Sequence, residues 1–127
     1  MPSYLFITNN PVVAERYKTA RLLNAPVTQV LSAVKEAVHK GAALLSPLEA
    51  AVTRYGLNPY KSVILSDSQV QLDFNSLKRI EEAIALYKKN GAIRYRAYNE
   101  ALLADFQSSD MQLFESILAT LPKANPL

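Results

Sequence analysis

The chain has 127 residues, about the length of one domain, and half of them are apolar or aromatic while one fifth are charged. Glycine and proline number three and seven, so disordered, collagenous and coiled-coil classes are excluded and a globular domain with one core is expected. No cysteine is present and His39 is the only histidine, which excludes a disulfide framework, thiol catalysis and an iron–sulfur or thiolate zinc site; 14 Lys and Arg against 11 Asp and Glu leave a net charge of only +3.

Tyr4 to Thr8 is a run of aromatic and β-branched residues closed by Asn9-Asn10-Pro11, the pattern of a buried strand running into a turn. Asn10 is placed to cap a short helix with Pro11 at its first position. A weaker strand pattern covers residues 20 to 23. Val27, Val30, Leu31, Val34 and Val38 then fall on one helical stripe, with Thr28 as the candidate cap and Gly41 as the stop. Residues 42 to 45 form a short apolar run fit for a buried strand. Ser46-Pro47-Leu48-Glu49 reads as a capping box around a first-turn proline, which predicts a helix through Arg54 with a stop at Gly56.

Asn58-Pro59-Tyr60 has a loop pattern, Lys61 to Ser66 a strand pattern centred on Val63-Ile64-Leu65, and Asp67-Ser68 ends that strand. A long amphipathic helix is predicted from about Asp73 to Asn90, with Leu77, Ile80, Ala83, Ile84 and Tyr87 inward and Gly91 as its stop. Ile93 to Tyr95, alternating with Arg94 and Arg96, suits an edge strand. Asn99 to Gln107 is weakly helical, and Ser109 with Gln112 opens a last helix to Leu121 whose Met111, Phe114, Ile117, Leu118 and Leu121 share a face. The C-terminal segment is locally acidic: residues 99 to 127 carry four acidic side chains and one basic, whereas residues 1 to 98 carry 13 basic and 7 acidic.

Strands that alternate with helices and read as continuous apolar runs predict an α/β fold, a small and mainly parallel sheet flanked by helices in three layers, Rossmann-like. A single α/β domain over residues 1–127 is expected, with 1–98 supplying the sheet and crossover helices and 99–127 a C-terminal helical segment. No apolar run approaches the ~20 residues needed to span a membrane. The first residues lack a basic segment, so a cytoplasmic protein without membrane contact is expected.

In an open parallel sheet, ligands gather outside the carboxyl ends of the strands. Asn10-Pro11 and Ser46-Pro47 each put a capping polar side chain before a proline at such a junction, although helix starts need this chemistry in any case. A cap does not require Asn9, and Asp67 and Ser68 end the third strand. Asn9, Asn10, Ser46, Asp67 and Ser68 are therefore the candidate ligand-binding set, able to hydrogen-bond a small polar or anionic ligand without acid–base chemistry on it. No catalytic residue, metal ligand or cofactor is assigned. His39 reads first as a solvated imidazole near its helix end, and in a parallel sheet it would share the opposite edge with Tyr60 and Lys61. Lys88, Lys89, Arg94 and Arg96, interleaved with Tyr87, Tyr95 and Tyr98, have the mix that holds single strands. Tyr87 is expected in the core and no nucleic-acid motif accompanies the cluster, so nucleic acid is not the expected partner.

Several short motifs follow one another along the chain: Ile7-Thr8-Asn9-Asn10-Pro11-Val12-Val13, then Val38-His39-Lys40-Gly41 with Leu44-Leu45, then Pro47-Leu48, then Asn58-Pro59-Tyr60-Lys61-Ser62-Val63, and Arg79-Ile80-Glu81 in the long helix. This order, over residues 5 to 90, resembles the GrdX family, small proteins that accompany the glycine reductase system of amino-acid-fermenting bacteria. The resemblance implies a bacterial accessory or regulatory protein of a selenoprotein reductase system, with a component of that system as partner. The family pattern has a histidine before Pro47-Leu48 where this chain has Ser46, so a titratable group is missing there and catalysis is not the expectation. Two functions are thus carried forward: an accessory or regulatory protein that binds a protein partner, and a small-ligand binding protein or weak enzyme using the strand-end junctions. Self-association through an edge strand or an apolar helix face is left open.

Overall fold

A computed structural model describes residues 3–48, 52–53, 56–67, 73–89 and 99–123. In chain order its elements are β1 (Tyr4–Thr8), α1 (Pro11–Arg16), β2 (Arg21–Leu22), α2 (Val27–His39), β3 (Ala43–Leu44), β4 (Val52–Thr53), β5 (Gly56–Leu57), β6 (Ser62–Ser66), α3 (Phe74–Lys89) and α4 (Glu100–Thr120). The fold is α/β. Four strands form a sheet in the order β2-β1-β6-β3, and β4 and β5 form a separate antiparallel pair.

The sheet is mixed, which corrects the expectation of a mainly parallel, Rossmann-like layer. β1 and β2 are parallel, but β6 runs antiparallel to both of its neighbours, with Tyr4 opposite Ser66 and Thr8 opposite Ser62 on β1, and Ala43 opposite Ser66 on β3. The physical reason lies in residues 46 to 57. A parallel return needs a crossover of a dozen or more residues, usually a helix. Among the described residues of this stretch the helix predicted through Arg54 does not occur: strands occupy Val52–Thr53 and Gly56–Leu57. Ser46 does not cap a helix either, because its hydroxyl accepts the Ile64 N–H at 2.9 Å. The chain therefore re-enters the sheet through a hairpin, and β6 comes back in the opposite direction.

Alternation along the two central strands assigns each side chain to a layer. Ile7, Val63 and Leu65 face the core that α2 and α3 cover, packed with Val30, Leu31, Val34, Val38, Ile80 and Tyr87. Phe6 and Ile64 face the other way, onto Val13 of α1 and Met111 and Phe114 of α4. On that second face Phe6, Tyr17 and Phe114 make three edge-to-face contacts with ring centroids 5.1 to 5.8 Å apart. Each such pair adds about 0.5–1.5 kcal/mol to the burial itself.

Local chemistry sets most element ends. Asn10 caps α1 by accepting the Val12 N–H at 3.0 Å, with Pro11 in the first turn. α2 starts at Val27 after Pro26, so Thr28 lies inside the first turn instead of capping it. After α2 the chain turns through Gly41, whose φ of 106° is open to glycine at no steric cost. The Asp73 carboxylate accepts from Asn75 N–H, Ser76 N–H and the Ser76 hydroxyl and so opens α3. α4 is one continuous helix of 21 residues capped by Asn99, so the weakly patterned stretch before Ser109 is helical and Ser109 sits in mid-helix. The edge strand expected at Ile93 to Tyr95 lies outside the described residues.

Candidate functional site

The reversal of β6 decides which polar residues meet. It brings the segment before β6, Asn58 to Lys61, and the first residue of β6, Ser62, beside the carboxyl end of β1, and it sends Asp67 to the opposite end of the sheet. There the Asp67 N–H donates to the Ser3 carbonyl at 2.9 Å and the Ser3 hydroxyl reaches its carboxylate at 3.5 Å. Two expectations are corrected together: Asp67 does not share a rim with Asn9, and Tyr60 and Lys61 do. Ser46 lies beside Ile64, level with Phe6 and set back from Thr8 along the sheet. Ser68 lies outside the described residues. His39 ends α2 as an exposed side chain, followed by Lys40 and Gly41.

At the rim itself, Asp110 of α4 enters between β1 and β6. Asp110 as a residue is only 7 % exposed. Its Oδ2 accepts from the Ser62 hydroxyl at 2.7 Å and from Asn10 Nδ2 at 3.0 Å, and its Oδ1 accepts the Ser62 N–H at 3.2 Å. The Thr8 and Ser62 hydroxyls are 2.7 Å apart, and Thr8 Oγ1 already accepts the Asn10 N–H at 2.9 Å. With Ser62 donating to the carboxylate, Thr8 donates to Ser62, and the hydroxyls form a directed chain from Thr8 to Ser62 to Asp110. Asn10 completes the clasp: its Oδ1 caps α1 while its Nδ2 donates both to Asp110 and to the Gln107 carbonyl at 2.9 Å.

Burial pushes the Asp110 carboxyl up from its ordinary range, and hydrogen bonds from Asn10 and Ser62 together with the nearby positive charge of Lys61 pull the other way. Tyr87 on α3 is pushed up to about 12, by burial and then by the Asp110 charge. On the flank of the same layer the Tyr17 hydroxyl donates to Glu115 at 2.6 Å, and burial and this bond raise its pKa. Arg16 lies 3.7 Å from the same carboxylate, so α1 and α4 are also joined at their outer edge.

Asn9 does a second fastening job. It is 5 % exposed. Its Nδ2 donates to the Ala25 and Pro59 carbonyls, both at 2.9 Å, and its Oδ1 accepts the Lys61 N–H at 2.9 Å. One carboxamide thus ties the loop before α2 to the loop before β6. Asn58 repeats the device, accepting the Tyr60 N–H at 2.9 Å and donating to the Phe106 carbonyl of α4 at 3.1 Å. Among the described residues no buried side-chain nitrogen or oxygen lacks a partner.

Two hollows adjoin this rim. One of about 520 Å³ is lined by Asn9, Pro11, Leu22, Asn24, Ala25, Pro26 and Tyr60, so residues from three segments meet there. The other, of about 510 Å³, runs between α1 and α4 and is bordered by Val12, Arg16, Gln107 and Met111 among others. No group of three or more His, Asp or Glu that could hold a metal ion occurs among the described residues. No helix among them is long and apolar enough to cross a membrane.

The sequence missed Asp110, Gln107 and Asn58 as rim residues. The signal for Asp110 was present: it falls four residues from both Phe106 and Phe114, a charge on the apolar stripe of its own helix. A buried carboxylate at such a position requires donors from neighbouring elements.

A mixed sheet with helices on both faces and a polar, internally bonded rim defines a small α/β protein whose fourth helix is locked to the sheet by a buried carboxylate. Residues 5–119 match the family model described as GrdX-like protein, and the chain belongs to that family. The match runs through α4, well past the motifs over residues 5 to 90 that carry the resemblance in the sequence, and so includes Asp110. At the level of the family, membership supports an association with the glycine reductase system. No curated protein and no solved structure matches the chain.

Proposed function

We propose that this chain is a non-catalytic accessory or regulatory protein that binds a protein component of the glycine reductase system in the bacterial cytoplasm. The observation that supports it most is the use made of the rim. Asn9, Asn10, Thr8, Ser62 and Asp110 hold one another, and two loops and two helices, in place. Their polar groups serve the fold, which is the arrangement of a binding scaffold. Surfaces open to a partner include the β2 edge, where Arg21 and Leu22 are exposed, and the outer side of α4, where Glu100, Asp105 and Leu113 are exposed. Immobilised purified components of the reductase system, probed one at a time with the purified chain, test the reading. Saturable binding to one component supports it, and absence of binding to all of them contradicts it.

A second reading is favoured by the hollow beside Asn9, Pro11 and Tyr60. It lies at the carboxyl end of β1, where α/β sheets gather ligands, and residues the sequence singled out line it from separate segments. In this reading the chain binds a small polar or anionic molecule there. A thermal-shift screen should then find a compound that raises the melting temperature, because a ligand at 100-fold its dissociation constant adds ~2.7 kcal/mol.

A further inference from the structure

We infer that the hollow at the carboxyl end of β1 is a site for a small molecule that presents a carboxylate or carbonyl oxygen on an apolar body; this rests on the second reading above. Its walls are fixed before any ligand arrives. The loop carrying Asn24, Ala25 and Pro26 and the loop carrying Pro59, Tyr60 and Lys61 are both held by Asn9, through Ala25 O, Pro59 O and Lys61 N–H at 2.9 Å each. Pro11 and Pro26 add two rings of restricted backbone to the same lining. A hollow whose walls are tied to one buried side chain loses little freedom when it is filled.

The chemistry of the lining selects the ligand class. Pro11, Leu22, Ala25, Pro26 and the Tyr60 ring give a largely apolar surface. The Tyr60 hydroxyl accepts from Gln107 Nε2 at 3.0 Å. A phenol has one hydrogen to donate, and with Gln107 as donor that hydrogen is left for an acceptor on the other side. Asn24 supplies an exposed carboxamide with two more N–H donors on the same lining. Among the described residues of the lining, no Asp or Glu repels a carboxylate and no Lys or Arg makes full charge a requirement. An acceptor oxygen directed at Tyr60 and Asn24, with an apolar body against the prolines and Leu22, meets each of these groups with its complement.

Three probes that share one ring and differ in their polar group test this on the full chain by two-dimensional ¹H–¹⁵N NMR: benzoate, benzamide and benzylammonium. Saturable shifts confined to residues around Asn9, Asn24 and Tyr60 are expected with benzoate and benzamide, and about tenfold weaker binding of both in Tyr60→Phe, which keeps the ring and removes the donor. An unchanged spectrum of Tyr60→Phe away from the hollow shows that this variant is folded, and Asn24→Ala gives an independent second loss. If benzylammonium binds as tightly as benzoate, or if Tyr60→Phe and Asn24→Ala bind benzoate as tightly as the parent chain, the ligand class is overturned while the hollow stands as a site. If none of the three probes gives saturable shifts there, both the class and the second reading fall.

Discussion

Ser62 bonds to Asp110 twice, through its hydroxyl at 2.7 Å and its backbone N–H at 3.2 Å, although 48 residues separate them in the chain. The pair joins the first residue of β6 to the middle of α4, and Asn10 adds the start of α1 to the same carboxylate. One buried anion therefore sets how the fourth helix lies on the sheet. A carboxylate removed from water holds such a position only when several donors replace its hydration.

Replacing Asp110 should be costly out of proportion to its size. Asp110→Ala leaves the Ser62 hydroxyl and N–H and one Asn10 hydrogen without their acceptor, and a loss of about 2–4 kcal/mol is expected. Asp105→Ala, at an exposed position on the same helix, should change stability by no more than about 0.5 kcal/mol. Denaturant unfolding of the two variants measures the contrast.

The pH dependence of this site has a definite sign. The Asp110 pKa is raised in the folded chain, with burial as the largest cause, above the unfolded value of about 3.9. The folded state then binds this proton more readily than the unfolded state. Its contribution to stability is fully present below the unfolded pKa and is lost as pH rises through the folded one. Measured against Asp110→Ala, the parent chain should gain stability as pH is lowered from about 7 toward about 4. A ¹³C titration of the Asp110 carboxyl should place its midpoint above the ordinary aspartate value of about 3.9.

Asn9→Ala should loosen the two loops that Asn9 ties together. Three hydrogen bonds at 2.9 Å are lost, leaving two carbonyls and the Lys61 N–H to find other partners. A destabilisation of about 2–3 kcal/mol is expected. Faster amide exchange at Lys61, with protection of α3 retained, is the residue-level readout.

Phe114 is fully enclosed between Phe6 and Tyr17. Phe114→Ala should cost about 3–5 kcal/mol, through lost burial and the cavity left behind. Leu113→Ser, next in sequence but exposed, should cost much less. Unfolding midpoints of the two variants separate an α4 packed by its apolar stripe from one that rests on the sheet without specific packing.

Much of the architecture could be read from local pattern. β1, the stripe of α2, β6 and α3 stand within one or two residues of their predicted ranges, because aromatic and β-branched runs and 3.6-residue periodicity each have one economical structural outcome. Residues 46 to 57 misled for a specific reason. Ser46-Pro47-Leu48-Glu49 satisfies the local rule for a helix start, but the Ser46 hydroxyl is engaged by a β6 amide 18 residues later. From that one substitution of hairpin for helix followed the wrong direction of β6, the wrong rim for Asp67, and the separation of Tyr60 and Lys61 from Asn9. α4 was read short because Ser109 and Gln112 match the local rule for a helix start, although the helix is already capped by Asn99 and Ser109 lies in its middle. The pairing of Asn10 with Asp110 spans 100 residues, and no local pattern carries it.

The central claim is that Asp110 and Ser62 act as one fastening between α4 and the sheet, and a double-mutant cycle measures it directly. Unfolding free energies of the parent chain, Asp110→Ala, Ser62→Ala and the double variant give the coupling between the two side chains. The account predicts a coupling of at least about 1 kcal/mol, with the double variant little worse than Asp110→Ala alone. Two effects that add to within about 0.3 kcal/mol would contradict it.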